Sequence, residues 1–400
     1  MIVSNFASIG GGIYISFTGT VSRSELFGNI TYVLGGAAAY QDKGGAVYCD
    51  NGGLIEYSQL HNNYSPNGSA IYFLSNGKIE NCEIFDNHSE YYAAIYCEFG
   101  GEISYCKISN NSALNGAGIC LTYGGSIRNS LIINNHASND GGGIYTIGNA
   151  LIESSTISSN CADHFAGGIY FDSSASLKNS IIYHNFAGYS NNYYSASSQP
   201  DFFYCCSIPL PTGEGNISDN PKFANPFAGF FKLATNSPCI NAGSNALWMT
   251  SAPDLEGKPR IINKIVDMGC YEYTNEPIVW LSYRMIDFGD VLVDTFVTSV
   301  FTVGNAGDQI LSGDVQNIHA PFFVDYGTPF TIASLTNSEL SILFAPDEIS
   351  NYFDEVSITG AENCTLILKG NGIPEPCCLL FIIYYLLFVI LVCRNTRIVA

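Results

Sequence analysis

Apolar and polar positions recur along the first half of this chain with a period of 24 or 25 residues. A small-residue block closes on an aromatic as Gly-Gly-Ala-Val-Tyr48, Gly-Ser-Ala-Ile-Tyr72, Tyr-Ala-Ala-Ile-Tyr96, Gly-Gly-Gly-Ile-Tyr145 and Ala-Gly-Gly-Ile-Tyr170, with Cys120 in the same place once. Seven positions after each anchor stands an aliphatic residue: Ile55, Ile79, Ile103, Ile127, Ile152 and Leu177. Five further on is a second: Leu60, Ile84, Ile108, Ile132, Ile157 and Ile182. Three beyond that is always asparagine: Asn63, Asn87, Asn111, Asn135, Asn160 and Asn185. The ladder extends back to Asn29 and Asn5, with an insertion, Thr31 to Gln41, that predicts a loop bulging from one turn.

A repeat of this size marks a solenoid whose coils bury their apolar faces against one another. The apolar tracts are short, rich in Ile and Tyr, and broken by Gly and Asn, so they read as strands. A leucine-rich repeat has a similar length but needs a leucine core that is missing here. The expected fold is therefore all-β: a right-handed parallel β-helix over residues 1–190, with coils about 4.8 Å apart. Equivalent residues then stack: aliphatics inside, and asparagines in a turn, where they can hydrogen-bond along the column and tolerate left-handed backbone. Ser58, Cys82, Cys106, Ser130, Ser155 and Ser180 form a second column of small core fillers, and the anchor tyrosines are expected to pack between coils. The chain opens inside a coil, because Met1-Ile-Val-Ser-Asn5 resembles Leu131-Ile-Ile-Asn-Asn135. A solenoid needs a polar cap, so further N-terminal sequence with any signal peptide is expected to precede it.

From about Asn191 the period is lost. Asn236-Ser-Pro-Cys-Ile-Asn-Ala-Gly243, Asp254-Leu-Glu-Gly-Lys-Pro-Arg260 and Val266-Asp-Met-Gly-Cys-Tyr-Glu272 follow in order. This run resembles the C-terminal capping region of bacterial secreted β-helix proteins with a choice-of-anchor tail, which implies a cap over 191–275. Asn241 stands where that pattern has Asp. Cys239 and Cys270 both occupy small-residue positions of the pattern, and the resemblance makes them neighbours that could form a disulfide. The other cysteines fall at apolar positions and are expected to be buried and reduced.

Residues 278–372 carry short alternating strands between turn signals, as expected of an immunoglobulin-like β-sandwich. Asp287-Phe-Gly-Asp-Val, Asn305-Ala-Gly307 and Phe344-Ala-Pro346 are similar to the landmarks of abnormal-spindle/Hydin sandwiches, which implies a spacer or protein-contact module. Pro374-Glu375-Pro376 then precedes the charge-free run Cys377–Cys393, followed by Arg394 and Arg397. A helix of that length spans about 25 Å, enough for a thin bilayer, and the arginines would hold its end in the cytoplasm. The segment 373–397, with its transmembrane helix 377–393, resembles the PEP-CTERM sorting tail. That implies an exosortase-type protease as partner, although an uncleaved membrane anchor fits the same residues. Both readings put the bulk of the chain at the cell surface or outside the cell.

Charge narrows the function. With a formal net charge of −20 and only 12% charged residues, the surface repels nucleic acid and polyanionic glycans. Parallel β-helices also host polysaccharide lyases and glycoside hydrolases, which need clustered carboxylates on adjacent coils. Glu56 and Glu80 stack in one column and could bind a cation or act catalytically, and they also fit a solvated stripe. Asp140, Asp163 and His164 gather in the turns before successive anchors, without a basic partner in sequence. His88 and His136 lie two rungs apart, too far to share a metal, and no cysteine–histidine spacing, nucleophile motif or phosphate loop is found. No metal or cofactor is therefore expected.

Tyr32, Tyr40, Tyr64, Tyr91, Tyr92, Tyr189, Tyr193 and Tyr194 fall in turns, where rings could stack on sugars. The expected role is a structural or adhesive surface protein presenting a face to a polysaccharide or another protein, with a polysaccharide lyase or hydrolase as the alternative. An enzyme should show a charged groove across three or more coils, and an adhesin a neutral Asn/Ser/Tyr face.

Overall fold

A computed structural model describes residues 1–32, 42–360 and 364–374. Tyr40, the greater part of the Thr31–Gln41 insertion, Glu375, Pro376, Arg394, Arg397 and the proposed membrane span 377–393 lie outside the described residues. Among the described residues no helix is long and apolar enough to cross a membrane. The chain divides into two compact units, one of 1–223 with 236–274, the other of 224–235 with the residues from 275 onward.

In the first unit every coil contributes strands to three parallel sheets. A nine-stranded sheet begins at Ile2–Val3 and ends at Cys206–Ser207, and an eight-stranded sheet runs from Phe6–Ala7 to Phe186–Tyr189. A fourteen-stranded sheet carries the anchor blocks; there Ile71–Glu80 and Ile95–Ser104 are continuous strands, whereas other coils break in two. Pairing is parallel and in step: Ile79 faces Ile55 and Ile103, and Ile108 faces Ile84 and Ile132. These aliphatics are buried and form the core. The eight-stranded sheet instead points Ala113, Ala137, Ala162 and Ala187 inward, small side chains that let it lie close to the opposite wall.

Three corners per coil turn the chain, and each uses a left-handed residue. The asparagine column does not itself take that conformation. It is the preceding residue that does: Asn62, Asp86, Asn110, Asn134, Ser159 and His184, with φ between 53° and 59°. The second corner uses Tyr57, Asn81, Tyr105, Asn129, Ser154 and Asn179, each one residue before the Ser/Cys column. The corner residue's side chain points outward, and the next residue's side chain points in and ties successive coils.

The asparagines form a continuous ladder. The side-chain oxygen of Asn87 accepts from both the backbone N–H (3.1 Å) and the side-chain amide (2.9 Å) of Asn63, and the arrangement repeats through Asn111, Asn135, Asn160 and Asn185. It begins at Asn5 and Asn29 and ends on Asn192, which takes the place of the next rung for Asn185. The serine column works alike: Ser155 Oγ accepts from the Ser130 N–H and donates to the carbonyl of Glu153.

The anchor tyrosines pack between coils, on the outer side of the sheet. Along Ile71–Phe73 the Ile and Phe point inward and Tyr72 outward, as strand alternation requires. The rings of Tyr14, Tyr48, Tyr72 and Tyr96 stack in turn at 5.1, 5.6 and 4.8 Å. Cys120 interrupts this column, and Tyr92 supplies the missing ring, edge-on to Tyr96 and Tyr145.

The last coil is closed by 211–219, where Asn216 Oδ1 accepts from the Cys205 N–H and Ile217 pairs with Cys206 and Ser207. Residues 236–274 lie along the flank of the solenoid, not over its end: Gly269 N–H donates to the carbonyl of Asn179, Cys270 N–H to Thr156, and Ser244 exchanges bonds with the Asn179 side chain. The Asp254, Arg260, Asp267 and Glu272 positions of the cap-like motifs are a buried polar centre. Arg260 pairs with Glu272 at 3.2 Å and donates to the carbonyls of Asp267 and Gly269. Cys239 and Cys270 are both buried free thiols, so the expected bridge is not formed, and the thiol that contacts Cys239 is that of Cys206.

The second unit is a β-sandwich of two four-stranded sheets. One orders Val279–Leu281, Val297–Asn305, Asn337–Phe344 and Phe322–Tyr326; the other Met285–Leu292, Cys364–Ile373, Asn351–Ile358 and Val315–Gln316. Phe301, Phe322, Phe344, Leu340, Val356 and Leu366 fill the space between.

Candidate functional site

Strands 76–80, 100–104 and 125–128 of the fourteen-stranded sheet form the floor of an open groove. One part, about 430 Å³, is lined by Asn76, Gly77, Lys78, Gly101, Glu102 and Ser126. A second part, about 180 Å³, shares Lys78, Glu102 and Ser126 and continues to Glu80, Arg128 and Trp248. Gly77 is required from the inner side: a Cβ there would stand 1.9 Å from the Phe73 ring, which fills the core beneath the groove.

At one rim, directly before the floor glycines, Phe99 and Tyr123 stack on successive coils with centroids 4.9 Å apart and planes within 6°. Both are exposed, 49% and 66%. At the other end Trp248, brought over by the flanking segment, lies 5.3 Å from the Arg128 guanidinium, and its indole N–H is buried without a partner. The groove is charged, but the charges are paired. Lys78 reaches Glu80 at 2.6 Å and Glu102 at 4.0 Å, and Arg128 is held by Glu153 at 2.7 Å. Ser104 Oγ also donates to Glu80.

Glu56 and Glu80 do face each other across one rung. Asp140, Asp163 and His164 do not converge. Asp140 pairs with His164 at 3.2 Å and accepts the Phe165 N–H, a mainly structural use, while Asp163 turns to His136 at 2.9 Å. Of the turn tyrosines, Tyr32 and Tyr189 are exposed, and Tyr193 packs against the core. Tyr194 stacks on Phe165.

Sequence reasoning missed Phe99, Tyr123, Trp248 and the pairing of His136 with Cys161. Three of these were open to it: Phe99 with Tyr123 and His136 with Cys161 are one period apart. Trp248 was not, since its place depends on how a non-repetitive segment folds back.

Residues 44–203 match the family described as "Right handed beta helix region". A search of curated proteins returns no match. Solved structures that are similar include an ASH/PapD-like domain of human CEP192, at 16% identity over 26% of this chain and 92% of that one, with a TM-score of 0.22. The VesB protease of Vibrio cholerae matches at 16% identity and a TM-score of 0.19, over 24% of this chain and 32% of that one. The secreted serine protease VesC from the same organism matches at 13% identity and 0.19, over 24% and 23%. Family match, period and sheet geometry together show that the first unit carries a right-handed β-helix repeat region.

Proposed function

We propose that this chain is a surface-exposed glycan-binding β-helix protein whose ligand lies in the groove over coils 76–80, 100–104 and 125–128. The observation that carries the reading is the exposed parallel stack of Phe99 and Tyr123 beside that groove. A flat apolar platform with a few fixed polar groups is what a sugar ring needs, its C–H face on the rings and its hydroxyls on paired Lys, Glu and Ser side chains. The acidic surface favours a neutral polysaccharide. In this reading the sandwich is an immunoglobulin-like spacer, 236–274 is a lateral brace of the cap-like type, and Pro374 to Arg397 is a membrane-sorting tail of PEP-CTERM type that holds the chain at a bacterial surface.

A second reading has an observation of its own, a charged groove across three coils, the feature expected of an enzyme. Glu80 and Glu102, from neighbouring coils, share one lysine beside Arg128. Two carboxylates across a groove are the minimum for glycoside cleavage.

One experiment separates the two. The chain is screened against a polysaccharide panel, scoring pull-down and unsaturated or reducing-end products in the same tubes. Binding without products, weakened about tenfold (about 1.4 kcal/mol) by Phe99→Ala or Tyr123→Ala, supports the adhesive reading. Products that vanish in Glu80→Gln or Glu102→Gln establish the enzyme. Neither binding nor products from any glycan rejects both.

A further inference from the structure

We propose that His136, Cys161 and Asp163 form a binding site for a zinc-class divalent transition-metal ion on the outer face of the eight-stranded sheet. His136 and Cys161 are direct register partners on adjacent coils, one strand spacing apart. Asp163 lies two residues beyond Cys161 in the same strand, and its carboxylate turns to His136. The His136 ring nitrogen, the Cys161 sulfur and an Asp163 oxygen all fall within 4.8 Å of one another, and His136 Nε2 is already 2.9 Å from Asp163 Oδ1.

The donor set decides the metal class. Imidazole, thiolate and carboxylate together suit zinc and its borderline-soft neighbours, whereas magnesium and calcium take oxygen ligands. Three protein ligands leave one tetrahedral position open to water or to a donor from another molecule. Surface exposure of His136 and Asp163, with Cys161 half-buried, gives the ion a direct path in.

The backbone under the site is rigid. His136 and Cys161 each follow a ladder asparagine, Asn135 and Asn160, and their N–H groups donate to the carbonyls of Asn111 and Asn135 on the coil before. The buried amide column therefore holds two ligands at fixed separation, the preorganisation a metal site needs. His88 belongs to the same column but bonds Ser112, which stands between it and His136, so it is not a fourth ligand.

Cobalt(II) titration of the full chain tests this, read by thiolate-to-cobalt charge-transfer absorption and by competition with zinc. The native chain should bind one equivalent with the thiolate band. Cys161→Ser should abolish the band, and His136→Ala and Asp163→Asn should each weaken binding more than the roughly tenfold that loss of a supporting partner costs. All three side chains sit on the solvent face, so circular dichroism of the variants should match the native chain. An unchanged band in Cys161→Ser, or no band in the native chain, overturns the site. Glycan binding at the groove is a separate readout and is expected to be unaffected by these three variants.

Discussion

Asn135 hands both its backbone N–H, at 3.0 Å, and its side-chain amide, at 2.9 Å, to a single atom, the side-chain oxygen of Asn160 on the next coil. The second amide hydrogen goes to the carbonyl of Ile108 at 3.1 Å, and the Asn135 oxygen in turn receives both donors of Asn111. No other side chain of this size offers two amide hydrogens and an amide oxygen in that geometry.

Asn135→Ala should therefore strand two buried donors of Asn111. At about 1–3 kcal/mol for each unsatisfied group, the first unit should lose about 3 kcal/mol or more, measured by urea denaturation. Asn135→Asp should do no better, since a carboxylate would meet the Asn160 oxygen with no proton to share. A loss under about 1 kcal/mol for the alanine variant would mean that the ladder follows from the fold and does not hold it.

The interrupted tyrosine column makes a second test. Cys120 is fully buried where the repeat has tyrosine, and Tyr92 occupies the space between Tyr96 and Tyr145. Restoring the repeat with Cys120→Tyr should therefore destabilise by about 1–3 kcal/mol through overpacking. Adding Tyr92→Ala should recover part of that loss, and the two changes should be non-additive in a double-mutant cycle.

The polar centre of 254–272 predicts a pH dependence. Burial raises the Glu272 carboxyl from its usual 4.5 to about 9, against the pull of Arg260, and raises Asp267 from 3.8 to about 6, against backbone N–H bonds from Asn241 and Tyr273. A folded-state pKa above the unfolded value gives stability that is complete below the unfolded pKa and lost as pH rises through the folded one. Thermal unfolding should thus shift to lower temperature as pH climbs from about 4 to about 9, and Glu272→Gln should flatten the upper part of that slope. A Tm that rises across this window would contradict the burial argument.

Thiol chemistry gives a fourth. Among the described cysteines Cys161 alone is not buried, and burial pushes Cys49, Cys97, Cys205 and Cys270 up to about 12. In the native chain a polar alkylating reagent followed by peptide mapping should label Cys161 and spare the other described thiols until denaturant is added. Rapid labelling of Cys97 would show that the solenoid core opens.

Much of the solenoid was legible because its constraint is local and repeated. Once Ile79, Ile103 and Ile127 recur at one spacing, stacking follows, and with it the burial of the column and the alignment of every polar position between. The same arithmetic reaches Glu56 over Glu80, and it would have reached Phe99 over Tyr123 and His136 over Cys161 had it been applied to exposed positions as well as to the core. It misassigned one detail, the left-handed corner, which falls one residue before each asparagine.

The sequence by itself determined the coil length, the three inward aliphatic and small-residue columns and the amide ladder, because each depends on residues one period apart that stacking brings together. Tertiary structure decided what periodicity does not encode. It laid 236–274 along the flank so that Trp248 meets Arg128, placed Cys206 and not Cys270 against Cys239, and split Asp163 from His164 between two different partners. Those outcomes depend on where a non-repeating segment finds a surface to bury itself against, and on which side of a bulged strand each side chain emerges. Both are settled by packing across the whole unit.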